Sequence, residues 1–253
     1  MAARMQFSVF KISRIGGRKK NEDRMGYAYT RGAAIFLVAD GLGGHPHGDV
    51  AAQITMQAVI SYFHQQANPK LPSALEFLHS AFTLAHEQLW SYAIDHGMEQ
   101  TPSTTLVVTV LQDDRCYTAH CGDSRMYLVR HRAVLFRTVD HSVLMRQQTS
   151  GIDPRRPTAN RHALFSCLGA PKEPLIELAE PIALLEGDRL LLCSDGLWGS
   201  LEEQDIVGHL ADKGVSESAY ALTELALRQA GPHGDNVTLV TVAWDRADNP
   251  PPV

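Results

Sequence analysis

No apolar run in the 253 residues approaches the roughly 18 that a membrane-crossing helix needs. Met1-Ala2-Ala3-Arg4-Met5-Gln6 lacks the apolar centre of a secretory leader, so a cytoplasmic location with no membrane partner is expected. Positive charge is not in excess. The 23 Lys and Arg stand against 28 Asp and Glu, a net charge of −5 that leaves no footprint for nucleic acid. Only four cysteines are present (Cys116, Cys121, Cys167, Cys193), and none forms a CxxC pair. They read as reduced, buried thiols rather than a disulfide framework or a zinc cluster. Cys193 follows Leu190-Leu191-Leu192 in an apolar run, a poor setting for a nucleophilic thiolate. Internal repeats are lacking. Low complexity is confined to Asn249-Pro250-Pro251-Pro252, so residues 247–253 are expected to be a disordered tail. What is present is 44% apolar content, enough for one sizeable core. A single, monomeric domain is expected over 1–253, with its core from about 9 to 244.

Alternation of Phe7, Val9, Phe10 and Ile12 predicts a first strand over 5–13. A polar, basic loop carries the chain to Asp23, and 24–30 with 33–39 then make a hairpin turning at Arg31-Gly32. A helix from about Asp49 places Met56, Val59, Ile60 and Phe63 on one face and stops at Asn68-Pro69. Ser73, with Glu76 three residues later, marks the N-cap of a second helix. Its Leu75, Leu78, Phe82, Ala85, Leu89 and Ala93 form one apolar stripe, and Gly97 stops it. The period then shortens. Residues 104–111, 115–120, 126–130 and 133–138 read as successive strands, with Gln112-Asp113-Asp114 and Gly122-Asp123-Ser124 as turn material between them. Strands in direct succession pair antiparallel, because parallel neighbours need long crossovers. A short helix over 140–148 and an irregular loop over 149–174 follow. Arg189–Cys193 is another strand, 202–212 and 216–230 are helices, and 237–244 closes the chain as a strand. Helices grouped apart from strands indicate an α+β class, not a doubly wound fold.

The chemistry is concentrated in acidic residues at predicted strand ends. Apolar strands run into Asp40-Gly41 and Asp195-Gly196, and Gly234-Asp235-Asn236 leads into the last strand. Asn21-Glu22-Asp23 precedes a strand, and Asp123 lies between two. Glycine beside Asp40, Asp123, Asp195 and Asp235 lets the backbone come close to a ligand. Any one of these segments could be an isolated Asx turn. Together they repeat one device, and carboxylates gathered from distant strand ends repel unless a cation neutralises them. Oxygen-only ligands suit Mg²⁺ or Mn²⁺ rather than zinc or copper.

Six motifs in order now carry a resemblance that covers nearly the whole chain. They are Arg18-x-x-Asn21-Glu22-Asp23, Asp40-Gly41-Leu42-Gly43-Gly44-His45, Cys121-Gly122-Asp123-Ser124-Arg125, Asp140-His141-Ser142, Ser194-Asp195-Gly196-Leu197 and Gly234-Asp235-Asn236-Val237-Thr238. The chain resembles the metal-dependent protein serine/threonine phosphatases, the PPM or type 2C class, and in particular its short bacterial members. That resemblance implies a four-layer α-β-β-α sandwich of two antiparallel β-sheets flanked by helix pairs. It implies two Mn²⁺ or Mg²⁺ ions and a third, more weakly held. Asp40 would bridge the first two. The Gly41 carbonyl and Asp23 would serve one ion, Asp195 and Asp235 the other, and Asp123 with Asp195 the third. Glu22 would orient metal-bound water, and Arg18 would bind the substrate phosphate with its guanidinium fork. The implied reaction is hydrolysis of phosphoserine or phosphothreonine on proteins by a metal-activated bridging water, without a covalent phospho-enzyme, reversing a bacterial Ser/Thr kinase. Two other readings use the same residues: a non-catalytic phosphoprotein-binding relative, and a phosphohydrolase of small molecules.

Leu42 stands where some eukaryotic relatives of that class carry a histidine, which leaves protonation of the leaving oxygen to metal-bound water or to His45. His47 reads as a loop and cap residue, and His141 as a structural hydrogen-bonder. Residues 149–172 match the family's flap in place and length. Phe165-Ser166-Cys167-Leu168-Gly169 is atypical for it, and Arg155, Arg156 and Arg161 are candidates to meet a phosphopeptide. Pro102-Ser103-Thr104-Thr105 lies where relatives commonly place a glycine, and little effect is expected there.

Overall fold

Strands and helices share both halves of the chain in the computed structural model, which describes residues 6–43, 47–143 and 163–245. Strands β1 (Gln6–Arg14), β2 (Asp23–Tyr29) and β3 (Ala33–Asp40) lead into helices α1 (Gly48–Gln66) and α2 (Ala74–Asp95). Two hairpins follow, β4 (Leu106–Gln112) with β5 (Arg115–Cys121) and β6 (Arg125–Arg130) with β7 (Ala133–Arg137), the chain crossing from one sheet to the other between β5 and β6. The short strands β8 (Glu177–Leu178) and β9 (Ile182–Ala183) precede β10 (Arg189–Cys193). Helices α3 (Asp195–Trp198), α4 (Glu203–Asp212) and α5 (Val215–Ala230) then lead, through a 3-10 turn at Gly231–His233, to β11 (Val237–Asp245). Among the described residues no helix is long and apolar enough to cross a membrane.

Every strand pair is antiparallel. One sheet runs β1-β11-β10-β6-β7; the other runs β2-β3-β4-β5-β8, with β9 also on β5. Turn chemistry fixes two of the hairpins. Asp113-Asp114 and His131-Arg132 all have φ between 51° and 59°, the twist that a two-residue hairpin requires. Alternation along β3 and β4 then divides their side chains between two cores. Ile35, Leu37, Val108 and Val110 pack under α1 and α2. Phe36, Val38 and Val107 face Met126, Leu190 and Val240 of the other sheet. On that sheet's far side, Tyr127, Leu191 and Leu239 pack against Ile206 of α4 and Leu222 of α5. Three apolar layers therefore separate four structural layers, as the resemblance implied.

The helix signals hold. Ser73 Oγ accepts from the Glu76 N–H at 3.3 Å, and Gly97 takes φ +60° after α2. The two-residue β8 and β9 and the four-residue α3 were not foreseen, because elements that short carry no periodicity. Residues 141–143 and 163–165 form a short ladder, with Val143 N–H donating to Ala163 O and Phe165 N–H to His141 O, each at 2.9 Å. Gly44, His45, Arg155, Arg156, Arg161, most of the helix expected over 140–148 and the tail at 247–253 lie outside the described residues.

Phe36 is fully buried between the sheets and meets Phe7 edge-on at 5.4 Å. Truncation to alanine leaves a cavity that rigid strands on both sides cannot close. Phe36→Ala should lower the unfolding free energy by about 3–5 kcal/mol, against about 1 kcal/mol for loss of the cap in Ser73→Ala. Urea denaturation measures both, and equal losses would contradict this placement of the inter-sheet core.

Candidate metal centre

The register of β2 and β3 creates the central feature. Asp23, first in β2, lies directly opposite Asp40, last in β3. Like charges in directly opposed positions repel. The other sheet adds to the crowding from the same end. Asp195 opens α3 immediately after β10, and Asp235 lies just before β11. Asp195 thus begins a helical turn, where the sequence suggested only a strand end. Asp123 sits in the turn from β5 to β6. The charges of Asp23, Asp195, Asp123 and Asp235 all bear on the Asp40 carboxyl.

Uncharged groups hold these carboxylates in place. Ser194 Oγ donates to Asp23 Oδ2 at 2.7 Å and so joins the two sheets. Asp40 is fixed through its backbone: its N–H donates to Thr105 Oγ1 at 3.1 Å, and Thr104 Oγ1 donates to its carbonyl at 2.8 Å. Thr105 Oγ1 in turn meets Ser124 Oγ at 2.7 Å, beside Asp123. Asn236 Oδ1 accepts the Glu22 N–H at 2.8 Å, while Asn236 Nδ2 donates to the carbonyls of Ile15 and Lys20. That ties the basic loop to β11. Gly41 must be glycine: a Cβ there would fall 2.1 Å from the Gly48 carbonyl oxygen at the start of α1. Arg18 Nη2 donates to Asp235 Oδ2, with half of its side chain exposed. Arg125 makes a two-point pair with Asp140 at 2.8 and 2.7 Å and lies 3.4 Å from the Trp198 ring centre. Trp198 Nε1 donates to the Asp123 carbonyl at 2.9 Å.

The electrostatic cost of this arrangement is large. Burial, with the Asp195 charge adding to it, pushes Asp23 up to about 7. Burial and the nearby Asp195 and Asp140 charges push Asp123 up to about 7 as well. Asp40 is raised well above the carboxylate range by burial and by four neighbouring aspartates, and Asp195 is raised by burial and Asp235. Asp23 is 3% exposed, and its Oδ1 atom is buried with no hydrogen-bond partner. Buried oxygens without donors are unfavourable. An all-oxygen set of this kind fits hard divalent cations of the Mg²⁺ or Mn²⁺ type. The cysteines offer no competing chemistry. All four are free, and burial pushes Cys116 and Cys121 up to about 12 and Cys193 upward too.

A family model described as Protein phosphatase 2C matches residues 13–226. The chain belongs to the protein phosphatase 2C family. It is 34% identical over 232 residues to the serine/threonine protein phosphatase PstP of Mycobacterium tuberculosis, covering 88% of this chain and 42% of PstP. The chain thus spans less than half the length of that relative. It is 27% identical over 245 residues to the Listeria monocytogenes serine/threonine phosphatase stp, covering 93% of this chain and 95% of stp. Among solved structures, Stp1 from Staphylococcus aureus aligns with a TM-score of 0.85 at 26% identity, covering 97% of this chain and 98% of that one. The PstP catalytic domain in complex with two manganese ions aligns with a TM-score of 0.76 at 30% identity, covering 94% of this chain and 98% of that one.

The structure brings Asp23, Asp40, Gly41, Asp123, Asp195, Asp235, Glu22 and Arg18 to one end of the sandwich. Sequence reasoning left out the groups that hold them. Ser194 and Asn236 stood in the quoted motifs with no role attached. Thr104 and Thr105 sat in a segment from which little was expected, yet they fix Asp40. His47 is at the N-cap of α1 with φ +67° but makes no side-chain cap.

A carboxyl whose folded pKa is raised favours folding when protonated. That contribution is complete below its unfolded value of about 4 and is lost as pH rises through about 7 for Asp23 and Asp123. The metal-free protein in EDTA should therefore melt at lower temperature as pH rises from 5 to 8, and Mn²⁺ should restore the loss. Asp40→Asn should flatten the profile. A melting temperature that ignores pH in EDTA, followed by calorimetry, would contradict this electrostatic account.

Proposed function

We propose that this chain is a metal-dependent phosphatase that hydrolyses phosphoserine and phosphothreonine on proteins, and that it opposes a Ser/Thr kinase. One observation carries the reading: buried carboxylates from both sheets converge on Asp40, and the exposed guanidinium of Arg18 stands at their rim. The two manganese ions of the PstP catalytic domain support Mn²⁺ or Mg²⁺ here. Asp23, Asp40 and the Gly41 carbonyl would hold one ion, Asp40, Asp195 and Asp235 another, and Asp123 with Asp195 a weaker third. When bound, the ions neutralise the carboxylates, polarise the phosphoryl group and lower the pKa of the water they share.

The chain's own residues supply the rest. Arg18 offers a planar fork to phosphate oxygens and can exchange its contact with Asp235 for the substrate. Glu22 places its carboxylate beside Gly43 and Gly48 and would orient a water in the cleft. Ser194, Thr104, Thr105 and Asn236 keep the acidic groups from relaxing apart. Positioning is thereby complete before substrate arrives.

Hydrolysis of a phosphothreonine peptide should require Mn²⁺ or Mg²⁺ and vanish in EDTA. Asp40→Asn and Asp195→Asn should each lower kcat by more than about a hundredfold. Arg18→Ala should act mainly on KM, by about tenfold. Unchanged turnover in both aspartate variants would sink the metal mechanism. Preference for nucleotides or sugar phosphates over the peptide would reject the protein substrate.

A further inference from the structure

A second polar cluster lies outside the carboxylate cleft. His120, His141 and Glu177 bring their ligand atoms within 4.8 Å of one another. The composition suits a metal, but the hydrogen bonds assign the protons differently. His120 Nε2 meets the Val139 carbonyl at 2.8 Å and so carries a proton. The Gly122 N–H donates to His141 Nδ1 at 3.3 Å, which puts the His141 proton on Nε2, where Glu177 Oε2 accepts it at 3.3 Å. A metal on Nε2 would need a proton on Nδ1, pointing at the Gly122 N–H. Glu177 and His141 form a hydrogen-bonded chain that ends on Gly122, with the His120 ring packed beside it.

Gly122 precedes Asp123 and takes φ +109°, a conformation that only glycine holds easily. A Cβ there would fall 2.7 Å from the Thr105 side chain. With no side chain of its own, Gly122 is held from outside. His141 grips it twice: the His141 backbone N–H donates to the Gly122 carbonyl at 2.9 Å, and the imidazole accepts the Gly122 N–H. The next carbonyl, that of Asp123, is held by Trp198. The same His141 accepts the Phe165 N–H and has the Phe165 ring 5.4 Å from its own, so the 163–165 segment is anchored there as well.

We propose that His141 is a positioning residue for Asp123: it clamps the Gly122 peptide, Glu177 keeps its imidazole in the accepting tautomer, and the clamp aims the Asp123 carboxylate into the cleft to hold the weakest divalent ion. The metal half of this rests on the reading of Asp123 given under Proposed function. Burial, and then the adjacent His120 ring 4.5 Å away, lower the His141 pKa, so Nδ1 keeps its lone pair at neutral pH. Glu177 reaches the ring because β8 pairs with β5, which puts Glu177 opposite His120.

Two substitutions separate the two ring contacts. In His141→Asn the side-chain oxygen stands where Nδ1 stood and still accepts from Gly122. In His141→Gln the side-chain nitrogen stands where Nε2 stood and still donates to Glu177. Amide hydrogen exchange of Gly122, read by NMR on the whole chain in EDTA, should speed up by about tenfold or more in His141→Gln and stay within about threefold in His141→Asn. In Mn²⁺ calorimetry, His141→Gln should weaken the weakest binding step by about tenfold and leave the tighter steps in place. Glu177→Gln, at a half-exposed position, should give a smaller shift of the same kind and carries the test if His141→Gln does not fold. Equal losses in both His141 variants, or unchanged Gly122 exchange in His141→Gln, would overturn the clamp. Stoichiometric Zn²⁺ binding that disappears in Glu177→Gln would also overturn it, in favour of a metal site. If Asp123→Asn leaves the weakest Mn²⁺ step intact, the metal role of Asp123 fails, and Gly122 exchange still decides the clamp by itself.

Discussion

Repulsion between Asp23 and Asp40 is the constraint on which the rest of this molecule depends. The β2–β3 register sets the two carboxylates face to face. The second sheet, instead of relieving them, adds Asp195 and Asp235. A chain selected only for stability would place hydroxyls or amides there. Instead the hydroxyls and amides surround the carboxylates and keep them together, with Ser194 bonded to Asp23, Thr104 and Thr105 to Asp40, and Asn236 to Glu22. The fold stores an unfavourable interaction that the proposed pair of divalent cations would convert into a favourable one. Three apolar layers make this tolerable, because the strands that carry the aspartates are rigid well before they reach the cleft.

Much of this was legible in the sequence, and for a physical reason. Asp40 and Asp195 announce themselves because each ends an apolar run and is followed by glycine, a local pattern that needs no tertiary information. The helices were legible through caps such as Ser73 and through stripes such as Leu78, Phe82 and Leu89. What was not legible depends on long-range register. Nothing near His120 points to Glu177, since they meet only because β8 lies against β5. Arg125 and Asp140 each looked like turn or motif residues, and their pairing emerges only when the segment after β7 lies back beside β6. Thr104 and Thr105 looked ordinary because threonine in a β-rich segment is usually there for the strand.

The grouping of supports also has a logic. Asp40, shared by both halves of the cleft, is fixed by backbone contacts that leave its carboxylate oxygens free of donors from Thr104 and Thr105. Asp123 is fixed more loosely, through the peptides on either side of it, one held by His141 and the other by Trp198. Rigid support for Asp40 and indirect support for Asp123 fit the strong and weak ion sites proposed for them.

The pairing of β1 with β11 along their whole length joins the two ends of the described chain, Gln6 opposite Asp245 and Arg14 opposite Val237. As the chain leaves the ribosome, the first strand must wait for the last before its sheet can close. The second sheet has no such delay, since β2 to β5 are complete long before. Asp235 and Asn236 arrive with β11, so the cleft stays half built until that strand has emerged. Without β11 the chain keeps Asp23 opposite Asp40 on the helix-covered sheet but lacks Asp235 and the Asn236 amide that ties down the basic loop.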